Sequence, residues 1–138
     1  MITKRNLLLL AVMLIAVVSS DAQSVQYDIV PLPQSIEMQK GEPFTLWNDL
    51  VQIVAPEELK AEADFLQAYL KDITGATMPL AQKREKGTRY IELSVSPKVK
   101  APEGYVLTVN EKGITITGGS AAGVFYGIQT LRKAVVNA

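Results

Sequence analysis

The chain of 138 residues carries 14 basic and 14 acidic side chains and contains neither histidine nor cysteine. Because there is no basic excess to neutralise phosphates, the composition argues against nucleic acid as a partner. The lack of His and Cys excludes imidazole acid–base catalysis, Ser-His-Asp and Cys-His nucleophiles, disulfides, and most zinc and copper sites.

The first 22 residues have the pattern of a secretory signal peptide. Lys4 and Arg5 precede an apolar run from residue 7 to residue 18, and small residues at positions 20 and 22 allow cleavage after Ala22. The alternative is a membrane anchor, but a run of 12 residues is shorter than the roughly 20 needed to span a bilayer. The sequence therefore predicts export to a periplasm or cell surface. Residues 23–138 are predicted to form one domain without a transmembrane span.

Extended segments come first in that domain. Residues 35–46 alternate polar and apolar side chains around a turn at 40–43 and predict a hairpin, and residues 51–54 predict a further strand. A helix is predicted from Pro56 to Gly75, since proline is tolerated in a first turn and a left-handed glycine ends a helix. The apolar residues of this helix recur at helical spacing and predict a buried stripe. The stripe consists of Leu59, Ala63, Leu66, Leu70 and Ile73, widened by Phe65 and Tyr69.

The second half predicts a strand at residues 90–95 and a hairpin at 105–117, in whose turn Gly113 is expected to have a positive φ. A last helix follows Ser120 and runs to about residue 136, with Val124, Ile128, Leu131 and Val135 as its apolar stripe. Gly123 and Gly127 lie one turn apart on this helix and predict a close approach of its backbone to the sheet. The whole pattern predicts an α+β fold, an open, mostly antiparallel or mixed sheet of about six strands with two helices packed on one face.

Few residues offer chemistry. The first helix carries four acidic residues, Glu57, Glu58, Glu62 and Asp64. Acidic side chains are common at solvent-exposed positions near the start of a helix and need no catalytic explanation there. The segment 118–120 (GGS) could hold an anion on its backbone amides or could be a capping turn. Trp47 could stack on a sugar ring or pack into the core. No residue is predicted to be catalytic, cofactor-binding or metal-binding.

Two stretches resemble one known family. Residues 29–37 (IVPLPQSIE), followed by Lys40-Gly41 and Phe44–Leu46, resemble the opening of the bacterial β-N-acetylhexosaminidases of glycoside hydrolase family 20. Residues 103–131, with the motif AGVFYGIQTL at 122–131, resemble the end of the small N-terminal domain of the same enzymes. The resemblance covers essentially all of residues 23–138.

In that family the small domain precedes a TIM barrel. The barrel removes terminal β-linked N-acetylglucosamine or N-acetylgalactosamine with retention, and the substrate's own acetamido group is the nucleophile. An adjacent Asp-Glu pair of the barrel orients that group and protonates the leaving oxygen, whereas this sequence contains no Asp-Glu dipeptide. The resemblance thus implies a non-catalytic domain, inactive alone, whose partners are the missing barrel and its glycan substrate. The residues that match the helix motif, with packing as their implied role, are Gly123, Phe125, Tyr126, Gly127 and Gln129.

Two alternatives stay open. One is a freestanding glycan-binding module that uses Trp47. The other is the equivalent domain of another barrel glycosidase, since glucuronidases and O-linked N-acetylglucosaminidases carry similar N-terminal domains. If the domain belongs to a barrel enzyme, whether a hexosaminidase or another glycosidase, the isolated domain would expose the apolar surface that normally faces the barrel.

Overall fold

The computed structural model describes residues 34–37, 40–46 and 51–136, with Val136 described in its backbone only. The strands are β1 (Val51–Val54), β2 (Leu80–Ala81), β3 (Arg89–Val95), β4 (Tyr105–Asn110) and β5 (Gly113–Gly118). A 3₁₀ turn at Glu57–Leu59 leads into helix α1 (Lys60–Thr74), and helix α2 (Ala121–Val136) follows β5. The predicted signal peptide and Trp47 lie outside the described residues.

The strands form one mixed sheet in the order β2-β1-β3-β5-β4. β1 is parallel to both β2 and β3, β3 is parallel to β5, and β4 is antiparallel to β5. Parallel neighbours need a long crossover connection, and α1 supplies it between β1 and β2. The predicted open sheet with two helices is confirmed in its mixed form.

The hairpin predicted over residues 35–46 is wrong for its described part, residues 35–37 and 40–46, which contains no strand. Phe44 and Leu46 instead pack their side chains against the core. Arg89 fixes this segment, because its Nη1 donates to the Thr45 carbonyl oxygen at 3.1 Å and its guanidinium carbon lies 4.3 Å from the centre of the Phe44 ring. The alternation in the sequence therefore marked two side chains that pack on the core and not a strand pairing.

The core lies between the sheet and the two helices. Ile53, Ile91 and Ile114 are opposite one another on adjacent strands, Leu93 and Ile116 form the next row, and all five are buried. The helices contribute the buried residues Leu59, Ala63, Leu66, Leu70, Val124, Ile128 and Leu131. The predicted helical stripes are confirmed at these positions, and the residues of both helices form one core cluster with the buried strand residues, which places both helices on one face of the sheet.

Glycines end one helix and shape one turn. Gly75 ends α1 with φ 75° and donates its N–H to the Lys71 carbonyl oxygen at 2.7 Å, as predicted. Gly113 does not have the positive φ expected of it. Its turn is held by Asn110, whose Oδ1 accepts from the backbone N–H groups of Lys112 (3.0 Å) and Gly113 (3.1 Å). Glycine is needed there because the Tyr90 ring lies where a Cβ would be.

Candidate domain-docking surface

One side of α2 lies directly on the sheet because it carries no side chains at two positions. A Cβ added to Gly123 would overlap the Gly104 carbonyl oxygen, and one added to Gly127 would overlap Cγ2 of Ile116. Two atoms cannot occupy the same space. Only glycine at both positions therefore allows the backbone of α2 to lie this close to β5 and to Gly104, the residue before β4. The side of the helix that faces the sheet is thereby fixed, and so is the side that faces away.

Hydrogen bonds hold the same helix in register. The Tyr105 hydroxyl on β4 is hydrogen-bonded to the hydroxyl of Thr130, which is buried. At the start of the helix, Gly119 donates its N–H to the Gly104 carbonyl oxygen at 2.9 Å, and Ser120 Oγ donates to the Pro102 carbonyl oxygen at 2.6 Å. The Gly119 amide is one that an anion would have used, so the 118–120 segment is better explained as a structural turn.

The side of the helix pair that faces away from the sheet presents two exposed aromatic rings. Phe65 of α1 is 36% exposed and Phe125 of α2 is 38% exposed. Their ring centroids are 5.4 Å apart with the planes tilted by 48°, and the Tyr126 ring meets Phe125 edge-on at 6.1 Å. Side chains from separate helices thus form one continuous apolar patch.

Arg132 of α2 completes this patch. Its guanidinium carbon lies 4.6 Å from the centre of the Tyr69 ring and 5.4 Å from that of Phe65, both distances in the range of cation–π attraction. Its Nη1 donates to Gln129 Oε1 at 2.9 Å, and the Tyr69 hydroxyl donates to the Arg132 carbonyl oxygen at 3.2 Å. We call Phe65, Tyr69, Phe125, Tyr126 and Arg132 the aromatic surface.

The structure separates the five motif residues into two groups. Gly123 and Gly127 are buried against the sheet side. Phe125 and Tyr126 belong to the aromatic surface, and Gln129 holds the arginine within it. The motif therefore combines a close contact with the sheet and an outward-facing surface on a single helix.

Sequence reasoning missed two members of the aromatic surface. Phe65 was predicted to widen the buried stripe of α1 and is exposed instead, and Arg132 was not singled out. The spacing of Phe125, Gln129 and Arg132, at i, i+4 and i+7, places them on one side of a helix and is the signal that could have found the arginine.

The acidic residues considered as candidates have ordinary surroundings. Glu57 is exposed and accepts from Gln82 Nε2 at 3.2 Å. Asp64 pairs with Lys60 at 2.6 Å, and this hydrogen bond, together with the charge of Asp64, raises the pKa of the exposed Lys60 ammonium. Glu57 and Asp64 thus lie at exposed positions and contact ordinary polar partners.

A shallow cavity of about 190 Å³ lies beside this acidic region, between β2 and the start of α1, lined by residues that include Pro56, Glu57 and Leu80. It is smaller than the roughly 300–1,000 Å³ of ordinary ligand pockets. Across residues 34–37, 40–46 and 51–136 no cluster of three or more Asp and Glu side chains could hold a metal ion. In the same ranges no helix is long and apolar enough for a membrane span.

Residues 26–138 match the model of the family described as glycosyl hydrolase family 20, domain 2. The chain belongs to this family. The expectation drawn from the two resembling stretches is confirmed, since the match includes both of them and the whole segment between them.

Known family 20 proteins contain the same unit as a small part of a longer chain. The β-hexosaminidase of Porphyromonas gingivalis is 30% identical in an alignment of 128 residues that covers 89% of this chain and 16% of that protein. The solved GH20 β-N-acetylhexosaminidase of Streptomyces coelicolor is 31% identical with a TM-score of 0.64, over 75% of this chain and 20% of that one. A mutant β-hexosaminidase of Streptomyces plicatus in complex with its product GlcNAc is 30% identical with a TM-score of 0.60, over the same shares. This chain thus spans at most about a fifth of these relatives.

Proposed function

We propose that this chain is the non-catalytic N-terminal domain of an exported β-N-acetylhexosaminidase and that it supports the catalytic barrel by docking its aromatic surface against it. The barrel would remove terminal β-linked N-acetylglucosamine or N-acetylgalactosamine. The observation that carries the proposal is the pair of exposed phenylalanine rings, Phe65 and Phe125, in contact on the outer side of two packed helices.

The composition of this surface is that of an interface. Contiguous exposed apolar patches on soluble proteins mark sites of interaction, and aromatic residues and arginine are enriched where such sites are buried. Lysine and glutamate, which dominate ordinary helix surfaces, do not interrupt the contacts between Phe65, Phe125 and Arg132. The glycine contacts of α2 fix its backbone against the sheet, so the side of the helix that carries Phe125 is already oriented for docking.

The chemistry of the described residues supports a role without catalysis. The candidate acids are solvated, and the cavity beside them is small. The relatives of similar sequence are named as β-hexosaminidases and N-acetylhexosaminidases, and this chain covers only 16% and 20% of two of them. The activity of the proposed enzyme is therefore assigned to the part of the relatives that this chain does not match. Export rests on the pattern of residues 1–22.

We expect the purified segment 23–138 to release no 4-nitrophenol from 4-nitrophenyl N-acetyl-β-D-glucosaminide, because the candidate acids Glu57 and Asp64 are exposed and contact ordinary polar side chains. The longer protein that contains the barrel is expected to hydrolyse the same substrate. Turnover by the 23–138 segment that is abolished by replacing one of its own acidic residues would overturn the proposal.

The same preparation tests the alternative of a glycan-binding module. Titration with N-acetylglucosamine oligomers up to millimolar concentration is expected to show no binding. Saturable binding that disappears in the Trp47→Ala variant would favour the module over the docking domain.

A further inference from the structure

Arg132 carries a charge that is only partly balanced by its surroundings. The ion pairs within the described part of the chain are Lys60–Asp64 and Arg84–Glu92, and neither involves Arg132. Its Nε is buried and has no hydrogen-bond acceptor among the described residues. A buried donor without an acceptor is unfavourable, so this position is incomplete in the free domain.

The neighbours of the guanidinium determine which of its edges is available. Nη1 is occupied by Gln129, and the rings of Tyr69 and Phe65 lie close to the group. The edge formed by Nε and Nη2 has no acceptor in the described residues. This is the edge that a carboxylate meets when it accepts two parallel hydrogen bonds from the side of an arginine.

The charge of α2 favours the same partner. Its residues 121–136 include Arg132 and Lys133 and no Asp or Glu. A domain that docks on the aromatic surface excludes water from Arg132. That domain must supply a hydrogen-bond acceptor, because a desolvated cation without a partner costs free energy.

We propose that an Asp or Glu side chain of the catalytic barrel pairs with the Nε–Nη2 edge of Arg132 and fixes the orientation of the docked domain. The inference rests on the proposed function, since it names the chemistry of the surface that the barrel presents. Because Nε is shielded from water, the carboxylate reaches it when one flanking ring shifts, and Phe65, which is more than one third exposed, has room to do so. Arg132 is thus a positioning residue and takes no part in the hydrolysis.

The test uses the longer protein with its barrel and the variants Arg132→Met, Arg132→Lys and Lys133→Met. Methionine keeps the apolar stem of the arginine and removes the charge, and Lys133 is the exposed neighbouring cation that serves as the matched control. The readout is the rate of limited proteolysis between the two domains, which reports how often they separate. We expect Arg132→Met to raise this rate by at least about tenfold, as truncation of one partner of a buried charge pair does. Arg132→Lys is expected to recover only part of the loss, and Lys133→Met to leave the rate unchanged.

Two further measurements separate the possible failures. Arg132→Met is also made in the 138-residue chain alone. Urea unfolding measures the free energy of unfolding that the variant loses in each protein. A loss in the 138-residue chain alone that is as large as the loss in the longer protein would show a purely local role and overturn the inference. A Phe125→Ser variant of the longer protein tests the docking itself. If Phe125→Ser separates the domains while Arg132→Met behaves like Lys133→Met, the carboxylate partner is wrong and the docking is retained. If neither variant changes the proteolysis rate, both proposals fail.

Discussion

The Gly123→Ala variant is expected to lose about 1–2 kcal/mol of unfolding free energy, although alanine is the better helix former. In an open helix position the same change would stabilise by up to about 1 kcal/mol. Here the added Cβ would overlap the carbonyl oxygen of Gly104, which is backbone and cannot rotate away. The helix must therefore move off the sheet, and this overpacking costs about 1–3 kcal/mol, which outweighs the gain in helix propensity.

Urea unfolding of the 138-residue chain, followed by circular dichroism, measures this change. Ala122→Leu is the matched control, because it adds carbon atoms at the exposed neighbouring position of the same helix and should change stability by less than about 0.5 kcal/mol. A Gly123→Ala variant as stable as the original chain would mean that α2 does not lie on Gly104 as described.

The Leu66→Ala variant is expected to lose about 3 kcal/mol. Leu66 is fully buried between α1 and the sheet, and its replacement removes apolar contacts and leaves a cavity that the rigid packing cannot fill. The same urea titration measures the loss.

Leu80→Ala is the control for Leu66→Ala, since Leu80 lies on the short strand β2 and is 38% exposed. Its loss should stay below about 1 kcal/mol. Equal losses for the two variants would show that α1 does not contribute the core contacts assigned to it.

Local patterns predicted the helices well because a helix is formed by residues that are close in sequence. The stripe of Leu59, Ala63, Leu66 and Leu70 and the glycine that ends α1 follow from spacing and backbone freedom alone. The strands were harder, since pairing depends on distant residues. Nothing in the sequence around Leu80 and Ala81 shows that two residues suffice to pair with β1.

The two errors at single positions have one cause. The alternation around Phe44 and the glycine at 113 were both interpreted by their most frequent local structures, a strand and a positive-φ turn. The structure explains each by a long-range contact, with the core for Phe44 and with the Tyr90 ring for Gly113. Such contacts follow from the tertiary fold and are not encoded in the neighbouring residues.

The aromatic surface shows a different limit of sequence reasoning. Apolar residues on a helix recur at the same spacing whether they pack on the sheet of their own domain or on another domain. Phe65 was therefore assigned to the buried stripe, and only the structure shows it on the outer side beside Phe125. The family motif pointed to Phe125 as a packing residue but could not say which body it packs against.

The barrel is expected to cover the aromatic surface in the longer protein. Hydroxyl-radical footprinting with mass spectrometry compares the oxidation of Phe65 and Phe125 in the 138-residue chain and in the longer protein. The internal control is the half-buried Tyr90, which precedes the core residue Ile91 on β3 and so lies on the opposite face of the sheet. Both phenylalanines are expected to be oxidised in the short chain and protected in the longer protein, while Tyr90 reacts equally in both. Equal oxidation of Phe65 and Phe125 in the two proteins would contradict this expectation.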